Sequence, residues 1–144
     1  MTNAYLDTSA IVKRYLNEDS SDKVDEIFKK VYAGENKIII SVIVFGEIST
    51  VFDKYEQRGV INNAQFYYSE FLNEMLKLTK VNSIQVINIT AENIIKSGKM
   101  CIKKHIPLMD TIHIVSAFNS DIFITADKAQ YSTAKELNFN ALLI

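Results

Sequence analysis

In Ala4-Tyr5-Leu6-Asp7-Thr8-Ser9-Ala10 a short apolar run stops at an acid and a helical pattern begins. Ala4 to Leu6 reads as a short buried strand. Thr8-Ser9-Ala10 opens a helix in which Ile11, Val12, Tyr15 and Leu16 recur at helical spacing. The same succession returns along the chain. Lys37 to Ile40 is a β-branched strand, and Ser41 is placed to cap a helix that runs to about Arg58 and stops at Gly59. Ile84 to Ile89 reads as a strand, followed by a helix from Thr90 through about Lys104. Ile122 to Ile124 precedes a helix over Asp127 to Leu137, and Ala141 to Ile144 is a last strand. Further helices are expected over Asp22 to Tyr32 (closed by Gly34), Asn62 to Lys80, and Asp110 to Phe118 after the break at Pro107. Strands that alternate with helices imply an α/β fold, with a central, mostly parallel sheet buried between helical layers.

Composition narrows the class. A chain of 144 residues fits one domain, and no linker or repeat divides residues 1–144. Its 48% hydrophobic and 23% charged residues are ordinary for a globular protein, long enough to bury a core. The single cysteine, Cys101, excludes a disulfide framework and a multi-cysteine zinc site. No apolar run approaches the ~20 residues that a membrane span needs. MTNAYLDTSA lacks the basic start and apolar stretch of a secretory leader, so a soluble cytoplasmic protein is expected. Sixteen basic against seventeen acidic side chains give a net charge of −1, which argues against a protein that coats nucleic acid by bulk charge.

Four acids stand in apolar surroundings. Asp7 follows the first strand and faces a helix start, where negative charge is favoured. Glu47 lies at the edge of the stripe formed by Val44, Ile48, Val51, Phe52 and Tyr55. Asp110 opens Asp110-Thr111-Ile112-His113-Ile114-Val115-Ser116-Ala117-Phe118, apolar nearly all round and therefore expected to be buried. Asp127 comes just after the Ile122–Ile124 strand. Asp7, Asp110 and Asp127 also read as helix N-caps, and Glu47 as a boundary residue reaching for water. Ligands on parallel sheets bind beyond the carboxyl ends of the strands, where these acids fall. Clustered carboxylates repel one another and raise each other's pKa. A hard divalent cation relieves that repulsion, and an all-oxygen set suits Mg²⁺ or Mn²⁺.

These residues carry a resemblance. Leu6-Asp7-Thr8-Ser9-Ala10, the Ser41–Ile48 block around Glu47, Pro107-Leu108-Met109-Asp110-Thr111-Ile112-His113 and Ile124-Thr125-Ala126-Asp127 resemble, in order and over the whole chain, the acidic blocks of the PIN-domain nucleases. Size and layout are most similar to the VapC-type toxins of toxin–antitoxin pairs. The resemblance implies a three-layer α/β/α PIN-like domain and a metal-dependent endoribonuclease that leaves a 5′-phosphate and a 3′-hydroxyl. It implies Mg²⁺ or Mn²⁺ as cofactor, RNA as substrate and a cognate antitoxin as partner. It also implies that Asp7, Glu47, Asp110 and Asp127 form the catalytic, metal-holding set. Asp7 and Asp110 would contact the metal, while Glu47 and Asp127 would position its waters or a second ion. Many members carry a further acid three positions after the last, where this chain has Gln130. The alternatives are a PIN-type nuclease in RNA processing or DNA cleavage, and an idle PIN-fold binding module. A receiver-type phosphoacceptor would want an acidic pair at the end of the first strand and a late-strand Lys, and neither is evident.

Other residues have supporting or plainer readings. Thr8, Ser9 and Thr125 are placed to hydrogen-bond the acids, or simply to cap and turn. His113, three residues after Asp110, reads first as a satisfied core histidine and second as a metal ligand. Cys101 falls on an apolar stripe with Ile94, Ile95 and Gly98 and reads as packing. Lys13, Arg14, Lys96, Lys99, Lys103 and Lys104 are candidate RNA contacts, or solvated faces. The Asn62–Lys80 helix carries an apolar arc of about 180°, wider than the ~100° that a core face needs. With Phe66 on its other side, the surplus is expected to serve a homodimer contact or an antitoxin groove.

Overall fold

The computed structural model describes residues 1–144. In chain order the elements are β1 (Thr2–Leu6), α1 (Thr8–Ile11), a 3₁₀ turn (Val12–Arg14), α2 (Ser21–Tyr32), β2 (Asn36–Ser41), α3 (Val44–Gln57) and α4 (Ala64–Lys80). β3 (Ile84–Ile87), α5 (Ala91–Lys104), α6 (Leu108–Ser116), β4 (Ile122–Thr125), α7 (Lys128–Glu136) and β5 (Ala141–Leu143) complete it. The five strands form one sheet in the order β3-β2-β1-β4-β5, and all four pairings are parallel.

Alternation along the strands sends successive side chains to opposite faces. Ala4, Leu6, Ile38, Ile40 and Ile124 meet a core of 20 residues built with α1 to α4, including Phe28, Phe52 and Phe71. Tyr5, Ile39 and Phe123 face the other way, onto Ile114, Ala117 and Ala134 from α6 and α7 and the segment after α6. These two cores are the joints of an α/β/α sandwich. β1 lies in the middle of the sheet, and the chain leaves it for β2 on one side and later returns to β4 on the other. The order therefore switches at β1 and β4, and the carboxyl ends of such a pair flank a crevice.

Several expected boundaries move. Ser41 does not cap α3. It is the buried last residue of β2, and the chain continues to pair through the Val42 N–H on Ile87 before α3 begins at Val44. Asp110 does not open its helix: α6 starts at Leu108 behind Pro107, whose fixed φ suits a helix start, so Asp110 is its third residue. α1 ends at Ile11 and tightens into the 3₁₀ turn, so it is shorter than the spacing of Tyr15 and Leu16 suggests. α5 packs chiefly on α6 rather than on the sheet. Its stripe of Ile94 and Ile95 is consequently left largely exposed, Ser97 is the one buried residue of the helix, and Cys101 is a half-buried free thiol.

Candidate active site

Asp7 follows β1 and Asp127 follows β4, at the two lips of the switch-point crevice. Both cap helices: Asp7 Oδ1 accepts from the Ala10 N–H at 2.9 Å, and Asp127 Oδ1 from the Gln130 N–H at 2.9 Å. For Asp7 the cap is only part of its bonding. It is 1% exposed, its Oδ1 also accepts from the Ser9 hydroxyl at 2.7 Å, and its Oδ2 accepts from the Thr125 hydroxyl at 2.6 Å. Thr125 in turn accepts from the Asp127 N–H, and Ser9 from the Ala126 N–H, which ties the two lips together. Burial pushes the Asp7 carboxyl above its usual range, opposed by His113 and by these hydroxyl and amide donors.

The other two acids come from the helices that flank the crevice. Glu47, in the first turn of α3, accepts through Oε1 from the Thr8 hydroxyl at 2.8 Å and pairs with His113 Nε2 at 2.6 Å. Burial works against its charge, but the His113 and Thr8 contacts prevail and hold its carboxyl below the ordinary range. His113 is buried on α6, with Nδ1 2.8 Å from the Tyr5 hydroxyl. In its neutral form the ring donates from Nε2 to Glu47 and accepts at Nδ1 from Tyr5, so both ring nitrogens have a partner. It is a satisfied core histidine, as expected, and it also grips a pocket acid, which the sequence does not reveal. Asp110 is pushed up to about 6, first by burial and then by repulsion from Asp127, with smaller contributions from Asp7 and Glu47.

Asp7, Glu47, Asp110 and Asp127, with Thr8, Ser9 and His113, line one pocket of about 390 Å³. Thr125 supports it from behind through Asp7. Gln130 lines it too, at 5% exposure; its Nε2 lies 3.2 Å from Asp110 Oδ1, while its buried Oε1 has no partner. The amide thus stands beside Asp110 without adding a fifth charge.

Sequence reasoning missed Lys54, the one lysine or arginine on the pocket wall. The signal was available: Lys54 lies seven residues after Glu47, two turns along the same helix face. The nominated cations lie elsewhere. Lys13 donates to the Asp19 carbonyl at 2.6 Å, and Arg14 is clamped by Glu74 and Asp25, so both are engaged internally. Lys96 pairs with Glu92, Lys104 with Glu136, and Lys99 and Lys103 are exposed on α5 outside the pocket.

Four converging carboxylates that raise the pKa of one of their number are a donor set fitted to a hard cation. As the side chains stand, no three Asp, Glu, His or Cys close round one point as a ready-made shell. Mg²⁺ commonly takes only one or two carboxylates and keeps several waters, so the set suits it without such closure.

Comparison with known proteins places this geometry. The sequence model of the PIN domain matches residues 4–136. No curated protein sequence is significantly similar. Among solved structures, VapBC2 from Rickettsia felis, bound to a DNA fragment from its promoter, aligns at 19% identity with a TM-score of 0.61, covering 98% of each chain. VapC20 from Mycobacterium tuberculosis, a toxin that cleaves the sarcin-ricin loop, aligns at 11% identity and TM-score 0.62 over 90% of this chain and 94% of its own. A domain of a functionally unknown protein from Methanocaldococcus jannaschii aligns at 21% identity and TM-score 0.55, over 100% of this chain and 91% of that one. At these identities the likeness is one of fold.

Proposed function

The chain belongs to the PIN-domain family, and on that premise we propose that it is a divalent-metal-dependent endoribonuclease, the toxin of a VapBC-type pair. The observation that carries the reading is the convergence of Asp7, Glu47, Asp110 and Asp127 on one pocket at the sheet's switch point. An idle binding module would have no use for four mutually repelling acids there. Asp7 and Asp110 would hold the cation, Mg²⁺ or Mn²⁺, directly or through water. Bound there, such an ion neutralises phosphodiester charge and lowers the pKa of a water that it holds.

The side chains prepare that chemistry. Ser9, Thr125 and the Ala10 N–H fix the Asp7 carboxylate and oppose the effect of its burial on its charge. Thr8 and His113 hold Glu47 ionised at the opposite wall, where it would orient a water for attack on phosphorus. Asp127 would orient a second water or support a second ion. The family resemblance implies products with a 5′-phosphate and a 3′-hydroxyl, the bond from phosphorus to O3′ breaking as water attacks, and no side chain needs to form a covalent intermediate.

A partner has a surface available. On α4 the inner part of the apolar arc, Phe71, Met75 and Leu78, is core, while Leu72 and Leu76 are 37% and 56% exposed and Phe66 55%. That face would meet a second copy or the antitoxin. No helix is long and apolar enough to cross a membrane.

The test is RNA cleavage with Mg²⁺ or Mn²⁺ by the native chain and by Asp7→Asn and Asp110→Asn. Each variant is expected to lose at least about 100-fold, more than the roughly 10–100-fold that losing an outer partner of a metal ligand costs, and a chelator is expected to abolish native cleavage. Equal cleavage by all three, or cleavage that survives chelation, overturns the reading.

A further inference from the structure

Lys54 is the only cation on the wall of the acid pocket. On α3 it stands about 10 Å along the helix axis from Glu47, and Arg58 follows one turn later, about 6 Å further, at the C-cap. No carboxylate lies within salt-bridge distance of either. The neighbouring acids are engaged elsewhere: Asp53 accepts from the Gln57 amide at 2.7 Å, and Glu56 from the Ala64 N–H at 3.0 Å. Arg58 borders a cleft of about 490 Å³ lined also by Leu16, Tyr55, Val60, Ile61 and Tyr67. Glu18, at the same cleft, is occupied by the Tyr55 hydroxyl and lies 3.7 Å from the Lys13 ammonium. An apolar, aromatic-walled cleft beside a free guanidinium is suited to a flat, unpaired base next to its phosphate.

We propose that the face of α3 running from Glu47 through Lys54 to Arg58 is the path of single-stranded RNA. Lys54 holds the phosphate next to the one that is cut, Arg58 holds the following one, and the cleft beside Arg58 receives an unpaired base. The inference rests on the nuclease reading above and assigns its substrate contacts. One file of two cations follows one backbone. A duplex presents two backbones across a groove, and a chain of net charge −1 carries no overall excess of positive charge to meet them.

The experiment is binding of a labelled, mixed-sequence single-stranded RNA, read by fluorescence anisotropy in Mg²⁺ from about 50 to 200 mM salt. The Asp110→Asn chain serves as the non-cleaving parent. On that parent, Lys54→Met and Arg58→Met are each expected to weaken binding several-fold. Each should reduce the slope of log K against log salt by about 0.7, and together by about 1.4. Lys54→Arg is expected to retain the parent slope, and thermal melts matching the parent establish that each variant is folded. An unchanged slope in the double variant, no salt-dependent binding by the parent, or tighter binding of the corresponding duplex overturns the path. Native cleavage measured alongside separates the two claims. Intact cleavage with an unchanged slope removes the path and leaves the nuclease, whereas slope loss without cleavage leaves an RNA-binding face and removes the nuclease.

Discussion

His113 shows how a pocket acid is held from inside the core. Its ring bridges the Tyr5 hydroxyl and Glu47, so a carboxylate at the surface of the crevice is anchored to a fully buried strand residue. His113→Leu would leave Glu47 to Thr8 alone and strand the Tyr5 hydroxyl without its acceptor. Cleavage by this variant is expected to fall about 10–100-fold in kcat, the usual effect of losing an outer partner of a metal-site ligand, with little change in KM. His113→Gln carries an N–H near the place of Nε2 and should recover most of the loss. If Leu and Gln behave alike in steady-state kinetics, His113 only fills space. Its grip on Glu47 was not legible in the sequence, because the partner lies 66 residues away and only the fold brings it near. Asp7 and Asp127 were legible for the opposite reason: each follows its own strand, and a strand end has one meaning on a parallel sheet. Gln130 was visible only as a departure from a pattern, and its place beside Asp110 required the structure.

At the scale of elements, periodicity identified strands and helices well and their ends less well. Ser41 has the chemistry of a cap, but strand pairing with β3 carries the backbone past it. The α5 stripe was apolar without being core, because hydrophobic spacing reports which residues share a face and not what covers that face. The α4 arc makes the same point constructively, since half of it is core and half remains uncovered. Light scattering of the native chain is expected to give twice the monomer mass. Leu72→Glu with Leu76→Glu should give the single mass, since two buried charges without partners disrupt an apolar contact. Equal masses for the two proteins would show that this face makes no contact between copies of the chain. Lys13 and Arg14 were nominated as RNA contacts from local sequence alone. Their ties to Asp19, Glu74 and Asp25 depend on how the 3₁₀ turn packs against α4 and α2.

Across the whole molecule, one ion cluster joins three elements on a single side of the sheet. Glu74 of α4 accepts from Arg14 Nη2 at 2.8 Å, from the Tyr15 hydroxyl at 2.7 Å and from Tyr32 of α2 at 2.9 Å. Burial opposes its charge, but Arg14 and the two tyrosines hold its carboxyl below the ordinary range. A depressed folded pKa contributes stability above the unfolded value of about 4.3 and loses it as pH falls through the folded one. Glu74→Gln is therefore expected to lower stability by about 1.5–3 kcal/mol at neutral pH, the range for a charged hydrogen-bond group. The deficit relative to the native chain should shrink below about pH 4. Urea melts at pH 7 and pH 3 check this, and an equal deficit at both would assign the effect to packing. The candidate active site has a reach of a different kind: Asp7 is fixed by Thr125, which is made 118 residues later. A chain still emerging from the ribosome, with β1 out and β4 not yet synthesised, has no crevice and no anchored Asp7. The acid pocket is thus absent until β4 has been made, so the order of synthesis withholds the assembled site from a chain that is only partly built.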